Sequence, residues 1–413
     1  VTFTSSAASP SPGNWGYIKF TDTSIPASFD ENDNYSGGSI LEHCVVEYGG
    51  AYSSHPTKGL YAIHGASYIN YCTVRHNKGA AIAGSLFPDW SSSDNYPVRI
   101  TNSTITQNSG AAIAAVRNAT ITGNTITYNS NSGWDGAIYT GGNTAASYIT
   151  ISNNTIAHNS TDGIVARAER GSAFTITQNT ITDNSGNGIT IGSGAKGFPN
   201  ATVTISGNTI LNNSEVGLAF IDGDQHLTAS VSDNTIANSG SEEIYIGYGQ
   251  SKITVTQNRI HDGTGAGVTV RLTDSEVLST KDIFQYNTIT GTTTDGNIIY
   301  IDKGTPTISN NNIFQESTSY SVYAGSNVDS EITQILENNW WGTASDTEIQ
   351  ALIYDWNDDP TRKATDYTPF LTAPDTTAPP SPPANVAAQT GPTTIALAWD
   401  ANLEADIAGY KVH

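Results

Sequence analysis

Asn179-Thr180-Ile181-Thr182-Asp183-Asn184-Ser185-Gly186-Asn187-Gly188-Ile189-Thr190-Ile191 holds the grammar of most of this chain. Thr180 to Thr182 alternates polar and apolar, a turn of Asn, Ser and Gly follows, and a second alternating stretch begins at Ile189. Alternation with period two marks a short strand with one buried face. A third such stretch, as in Val203-Thr204-Ile205, precedes the next Asn phrase. The phrase recurs as Asn124-Thr125-Ile126, Asn154-Thr155-Ile156, Asn208-Thr209-Ile210, Asn234-Thr235-Ile236, Asn258-Arg259-Ile260, Asn287-Thr288-Ile289 and Asn311-Asn312-Ile313. Upstream the frame is kept by Ser103-Thr104-Ile105, Cys72-Thr73-Val74 and Cys44-Val45-Val46, and it closes at Asn339-Trp340-Trp341. The step averages about 27 residues, which gives about twelve units. Short strands in a coil of fixed frame and variable loops fit a parallel β-solenoid. A propeller blade needs about 40 residues and four strands, and the Leu scaffold of a leucine-rich repeat is missing.

The repeat resembles the right-handed parallel β-helix, the pectate-lyase-like superfold, over residues 1–345. That resemblance implies an all-β fold of about twelve coils but no particular role, because the superfold hosts many. Stacked coils place the Asn residues of the phrase above one another. Asn124, Asn154, Asn179, Asn208, Asn234, Asn258, Asn287, Asn311 and Asn339 are therefore expected to form an amide ladder. Asn at such a turn is expected to take the left-handed conformation itself. Cys44 and Cys72 share the column one coil apart, either as buried thiols or as a disulfide.

Residues 346–374 read as a C-terminal cap, since an open solenoid end must protect its strand edges. Glu348 to Asp355 has helical spacing, and Trp340 and Trp341 would plug the last coil. Residues 375–384 are proline-rich and suggest a stiff, extended linker. Residues 385–413, with Ile395 to Trp399 and Gly409-Tyr410-Lys411-Val412, resemble the second and third strands of a fibronectin type III sandwich. A whole sandwich needs about 90–100 residues, so the module is expected to be partial and the natural chain longer.

Only 13% of the residues are charged, against about a quarter in a typical soluble domain. Asp and Glu number 38 and Lys and Arg 17, a net of −21 without basic clusters. Nucleic acid is an unsuitable partner for such a surface, and no run is long and apolar enough for a membrane helix.

Enzymes of the resembled superfold carry acids, or an Arg or Lys base with calcium, on an outward strand face. Their phrases are missing here, so the resemblance hands over no catalytic residue. The charges left are in loops after the second strand: Arg167, Glu169, Asp222, Asp224 and Arg271 are the catalytic candidates. Asp222 and Asp224 sit in a Gly-containing turn that suits calcium, the one cofactor the sequence suggests. Tyr139 and Tyr245, outward in one strand column, and Trp90 in a long insertion are candidates for stacking on sugars. Asn34, Asn118, Asn159, Asn200 and Asn212 head sequons open to glycosylation. These features point to a non-catalytic extracellular or cell-surface protein, structural or adhesive, of the kind that builds a fibre, sheath or surface layer. Its expected partners are polysaccharide, cell-surface components or copies of itself. The alternative is a secreted polysaccharide lyase or glycoside hydrolase acting on an acidic polysaccharide.

Overall fold

Ile105, Ile126, Ile156, Ile181, Ile210, Ile236, Ile260, Ile289 and Ile313 stand directly above one another, each the register partner of the next. The computed structural model that shows this describes residues 1–413 except 22, 51–60, 66–67, 85–96, 131–135, 142–145, 169–170, 193–200, 222–226, 248–251, 266–267, 272–281, 292–296, 304, 315–319, 327–332, 384–385, 403, 405–406 and 411–413. The Ile column runs through a first sheet of 12 strands, from Thr2–Phe3 to Asn312–Phe314. A second sheet of 13 strands runs from Ile18–Lys19 to Ile353–Tyr354, and a third of 11 from Leu41–Glu42 to Thr307–Ser309. Each coil visits the third sheet, then the first, then the second, as in Val98–Thr101, Thr104–Thr106 and Ile113–Val116. Eleven strands in the third sheet leave fewer complete coils among the described residues than the twelve expected from the spacing.

Strand alternation decides which side chains enter the tube. In Ala173–Thr177, Phe174 and Ile176 are buried while Ala173, Thr175 and Thr177 face outward. Full burial of each such apolar side chain contributes about 1.5–3 kcal/mol. The result is one continuous core from Leu41 to Tyr367.

The corners carry the ladders. Asn154 Nδ2 donates to Asn179 Oδ1 (2.9 Å) and to the Ile121 carbonyl (2.9 Å), and the Asn154 N–H donates to the same Oδ1 (3.0 Å). The motif repeats from Asn124 to Asn339. The ladder Asn residues are not the left-handed ones, contrary to expectation. The positive φ falls on the residue before each: Asn153 (54°), Gln178 (55°), Asp233 (57°), Gln257 (56°) and Tyr286 (55°). That residue turns the chain, so the Asn after it can aim its amide inward. A second ladder runs up the next corner through Asn77, Asn108, Asn129, Asn159, Asn184 and Asn213. Cys44 and Cys72 are buried, unbridged thiols at the start of the first ladder. Cys44 Sγ donates to the Glu42 carbonyl (3.0 Å) and Cys72 Sγ to that of Leu41 (3.2 Å). Burial pushes the Cys72 thiol pKa up.

At the far end, Ser345 Oγ accepts from the Glu348 N–H to start the helix Asp346–Ala351, whose first turn holds Asp346 and Glu348. Ile353–Tyr354 then adds a strand to the second sheet beside Val322–Ala324. Trp341 is fully buried in the core and Trp340 half-buried beside it. Residues 375–380 are not a free, extended linker: Asp375, Pro379 and Pro380 are held on the first sheet by Asn312, Thr288 and Arg259, with a turn at 376–378 between them. Ala387–Thr390 and Ile395–Ala398 form an antiparallel hairpin that leaves Ile395 68% exposed.

Candidate functional site

The loops expected to carry chemistry follow the second sheet. Glu169, Asp222, Asp224, Trp90 and Asn200 lie outside the described residues. Arg271 closes the strand Val268–Arg271, with its side chain also outside them. Arg167 ends Asp162–Arg167, half-buried, its guanidinium carbon 5.9 Å from the Tyr139 ring centre. Tyr139 and Tyr245 do share one outward column, in register through Val165, Thr190 and Ala219. Tyr139 is only 5% exposed, so its ring cannot serve as a sugar platform. The column continues through Thr269 to Tyr300, Tyr323 and Tyr354, a row that the sequence reading missed. Its signal was the isolated Tyr between apolar neighbours, as in Ile299-Tyr300-Ile301. These rings face each other: Tyr323 stacks on Tyr354 at 4.9 Å, and Arg362 Nη2 donates to Tyr323 Oη (2.6 Å). The row fastens the cap, which leaves little ring face for a ligand.

Among the sequons, Asn159 is a correction. It is 1% exposed, and its Nδ2 is spent on Asn184 Oδ1 (2.9 Å) and the Ile126 carbonyl (3.1 Å), so it cannot carry a glycan. Asn34 and Asn212 are exposed, and Asn118 is half-buried with its Oδ1 accepting from the Tyr148 N–H.

The third sheet has a different outer face. Thr120, Thr150, Thr175, Thr204, Ser230 and Thr254 form one outward hydroxyl column, and Thr122, Ser152, Thr177, Ser206, Ser232 and Thr256 a second. Strand geometry spaces these about 4.8 Å apart along the axis and about 6.6 Å across it. At the upstream end a hairpin, Ser28–Phe29 with Tyr35–Gly37, stands against the sheet. Phe29 meets Tyr68 edge-on at 5.1 Å, and the Arg99 guanidinium carbon lies 3.8 Å from the Phe29 ring centre. Arg99 Nη2 also pairs with Asp33 (2.8 Å). Below this wall is a groove of about 530 Å³ lined by Phe29, Arg99, Asn118, Thr120, Tyr148 and Thr175, among others. Tyr148 is 60% exposed on its floor. An aromatic wall, an open Tyr and rows of hydroxyls can cover the apolar face of a sugar ring and bond its hydroxyls. Sequence reasoning missed this groove, because its wall comes from a hairpin before the regular repeat.

Two buried carboxyls were also unforeseen. Glu243 is fully buried, and desolvation pushes its pKa up to about 7 although Ser239 donates to it from both Oγ (2.6 Å) and N–H (3.0 Å). A Cβ built on Gly263 would lie 2.9 Å from Glu243 Oε1. Glu243 thus supplies the acceptor oxygen where the second ladder reaches a residue with no side chain. Asp282 accepts from the Ile253 N–H (2.9 Å), and burial raises it to about 7 as well. Neither is placed to meet a substrate. Among the described residues, no three His, Cys, Asp or Glu side chains are grouped to hold a metal ion.

The family model described as the right handed beta helix region matches residues 53–230 and 197–351. No curated protein matches the chain. Among solved structures, the A-module of the mannuronan C-5 epimerase AlgE4 from Azotobacter vinelandii is similar, at 13% identity and a TM-score of 0.42. That alignment covers 81% of this chain and 91% of the other.

Proposed function

The chain belongs to the right-handed β-helix family, and from that premise we propose that it is a non-catalytic, extracellular polysaccharide-binding protein of the structural or adhesive kind. The family scaffold hosts many roles, so the proposal rests on the surface. The observation that carries it is the third-sheet groove. The exposed Tyr148 offers an apolar ring face, the Arg99–Asp33 pair stacked on Phe29 offers polar edges beside it, and two continuous hydroxyl columns lead away along the axis. A polymer lying parallel to the axis would meet the same chemistry at every coil. Residues 385–413 fit the opening strands of a fibronectin type III-like sandwich, whose other sheet would cover Ile395 and Leu397.

Calorimetry against a panel of soluble neutral and acidic polysaccharides tests this reading. Binding is expected with at least one, and Tyr148→Ala should weaken it about tenfold, equivalent to roughly 1.4 kcal/mol. Absence of binding across the panel, or binding indifferent to Tyr148→Ala, refutes the groove. Release of new chain ends from an acidic polymer in the same mixtures would favour the lyase or hydrolase reading instead.

A further inference from the structure

The charges around the third-sheet groove point to the kind of polymer it selects, an inference that rests on the reading of that groove as a polysaccharide site. Arg99 is the one cation among the described lining residues. Its guanidinium is already engaged. The guanidinium carbon lies 3.8 Å from the Phe29 ring centre, so the ring covers it from one side, and Nη2 lies 2.8 Å from Asp33 Oδ1. The Arg99 side chain is 22% exposed and that of Asp33 73%. An approaching ligand therefore meets the carboxylate before the cation.

The turn that supplies Asp33 carries two further exposed acids, Asp30 and Glu31. The Asn34 N–H donates to Asp30 Oδ1 (2.8 Å) and Asn34 Nδ2 to Oδ2 (3.2 Å), which holds that carboxyl below the usual carboxylate range. Three carboxylates against one guanidinium leave this rim negative. A uronate polymer would bring more negative charge to it and find no uncommitted cation among the lining residues. The rest of the lining suits hydroxyls. Thr120, Thr150 and Thr175 stand half-buried beside the exposed Tyr148 ring. A hydroxyl both donates and accepts, so it pairs with sugar hydroxyls in either sense, whereas a carboxylate only accepts.

We infer that the groove selects a neutral polysaccharide, and that Asp33 sets this choice by occupying the guanidinium that would otherwise take a uronate carboxylate. Removing the Asp33 carboxylate frees an edge of Arg99 for the planar, two-point pairing that guanidinium makes with carboxylates. Asp33 is thus a specificity-determining residue, and its loss widens the range of ligands to include acidic polymers.

Calorimetry with two neutral polymers, xyloglucan and galactomannan, and two uronate polymers, polygalacturonate and alginate, tests the inference at low and at physiological salt. The parent should bind a neutral polymer with an affinity that changes little with salt, and the uronate polymers at least tenfold more weakly. Asp33→Asn should raise the uronate affinity about tenfold. That gain should fade with added salt and vanish in the double variant Asp33→Asn with Arg99→Gln. Asp33 has φ 64°, a bend that Asn also takes, so the turn is kept. Asp33→Gly takes the same bend without the carboxylate and reports if the Asn variant fails to fold. Uronate binding by the parent as tight as its neutral binding overturns the inference and leaves the groove reading in place. So does an absence of any uronate gain in both Asp33 variants, or a gain that survives Arg99→Gln. Failure of all four polymers to bind removes the groove reading and this inference together.

Discussion

Replacing Asn179 with Ala tests the ladder in the middle of the solenoid, where both neighbours are complete. Asn179 is 1% exposed. Its Nδ2 donates to the Ile151 carbonyl (2.9 Å), the Thr177 carbonyl (3.1 Å) and Asn208 Oδ1 (3.0 Å), and its Oδ1 accepts from the N–H and Nδ2 of Asn154 (3.0 and 2.9 Å). Truncation does not orphan all of these. Asn208 Oδ1 keeps the Asn179 N–H, and the Thr177 carbonyl keeps the Asn153 N–H. The Ile151 carbonyl, the Asn154 N–H and one hydrogen of the Asn154 amide lose these partners. A buried polar group left unsatisfied costs about 1–3 kcal/mol. The expected loss is therefore about 3–9 kcal/mol, a large share of the 5–15 kcal/mol typical of a folded domain. Equilibrium urea unfolding followed by far-UV circular dichroism measures it, with exposed Thr180→Ala as a control expected within about 0.5 kcal/mol of the parent. Asn179→Asp adds a sign test. A carboxylate in this buried site is disfavoured, so that variant should gain stability relative to the parent as the pH is lowered toward 4. A loss below about 1 kcal/mol for Asn179→Ala would show that the ladder is ornamental to stability and refute the reasoning.

Glu243 and Asp282 both have folded pKa values raised to about 7, so the folded state holds protons that the unfolded chain releases. Their contribution is full below the ordinary carboxylate range and fades as pH rises toward 7, at a slope of up to about 1.4 kcal/mol per pH unit for each group. Denaturation midpoints at pH 5 and pH 8 should show this fall, and Glu243→Gln with Asp282→Asn should flatten it. The thiols of Cys44 and Cys72 should react with a thiol reagent only at the rate of unfolding, because both are buried; fast labelling of the folded protein would contradict their placement. In a host that glycosylates sequons, mass spectrometry of peptides should find Asn159 unmodified, and a glycan on Asn159 in folded protein would contradict its burial.

The first sheet was legible because its strands, its Ile column and its ladder sit within one six-residue phrase. The left-handed residue was assigned one position late. Asn favours that conformation locally, but here the ladder needs its amide turned inward, and the preceding corner takes the bend with whatever residue is present. The second ladder was half-visible as the recurrent Asn after each strand, as at Asn184 and Asn213. The groove and the docked segment were not legible. Phe29 reaches Tyr68, and Pro380 reaches Arg259, by folding of irregular chain whose path no period describes. The buried role of Glu243 depends on what Gly263, a coil away, lacks.

The left-handed corner positions have an evolutionary consequence. His43, Tyr71, Gln178, Asp233, Tyr286 and Asn310 all adopt the same bend, φ 49 to 57°. The fold asks only for a turn there and leaves the side chain pointing off the edge of the tube. Each corner is thus a slot whose content can change without disturbing its neighbours. The stacked pairs His43–Tyr71 and Tyr128–His158 show that adjacent slots can already be combined into larger surfaces. A lineage of such chains can therefore diversify what its edges display while the interior sequence stays almost monotonous.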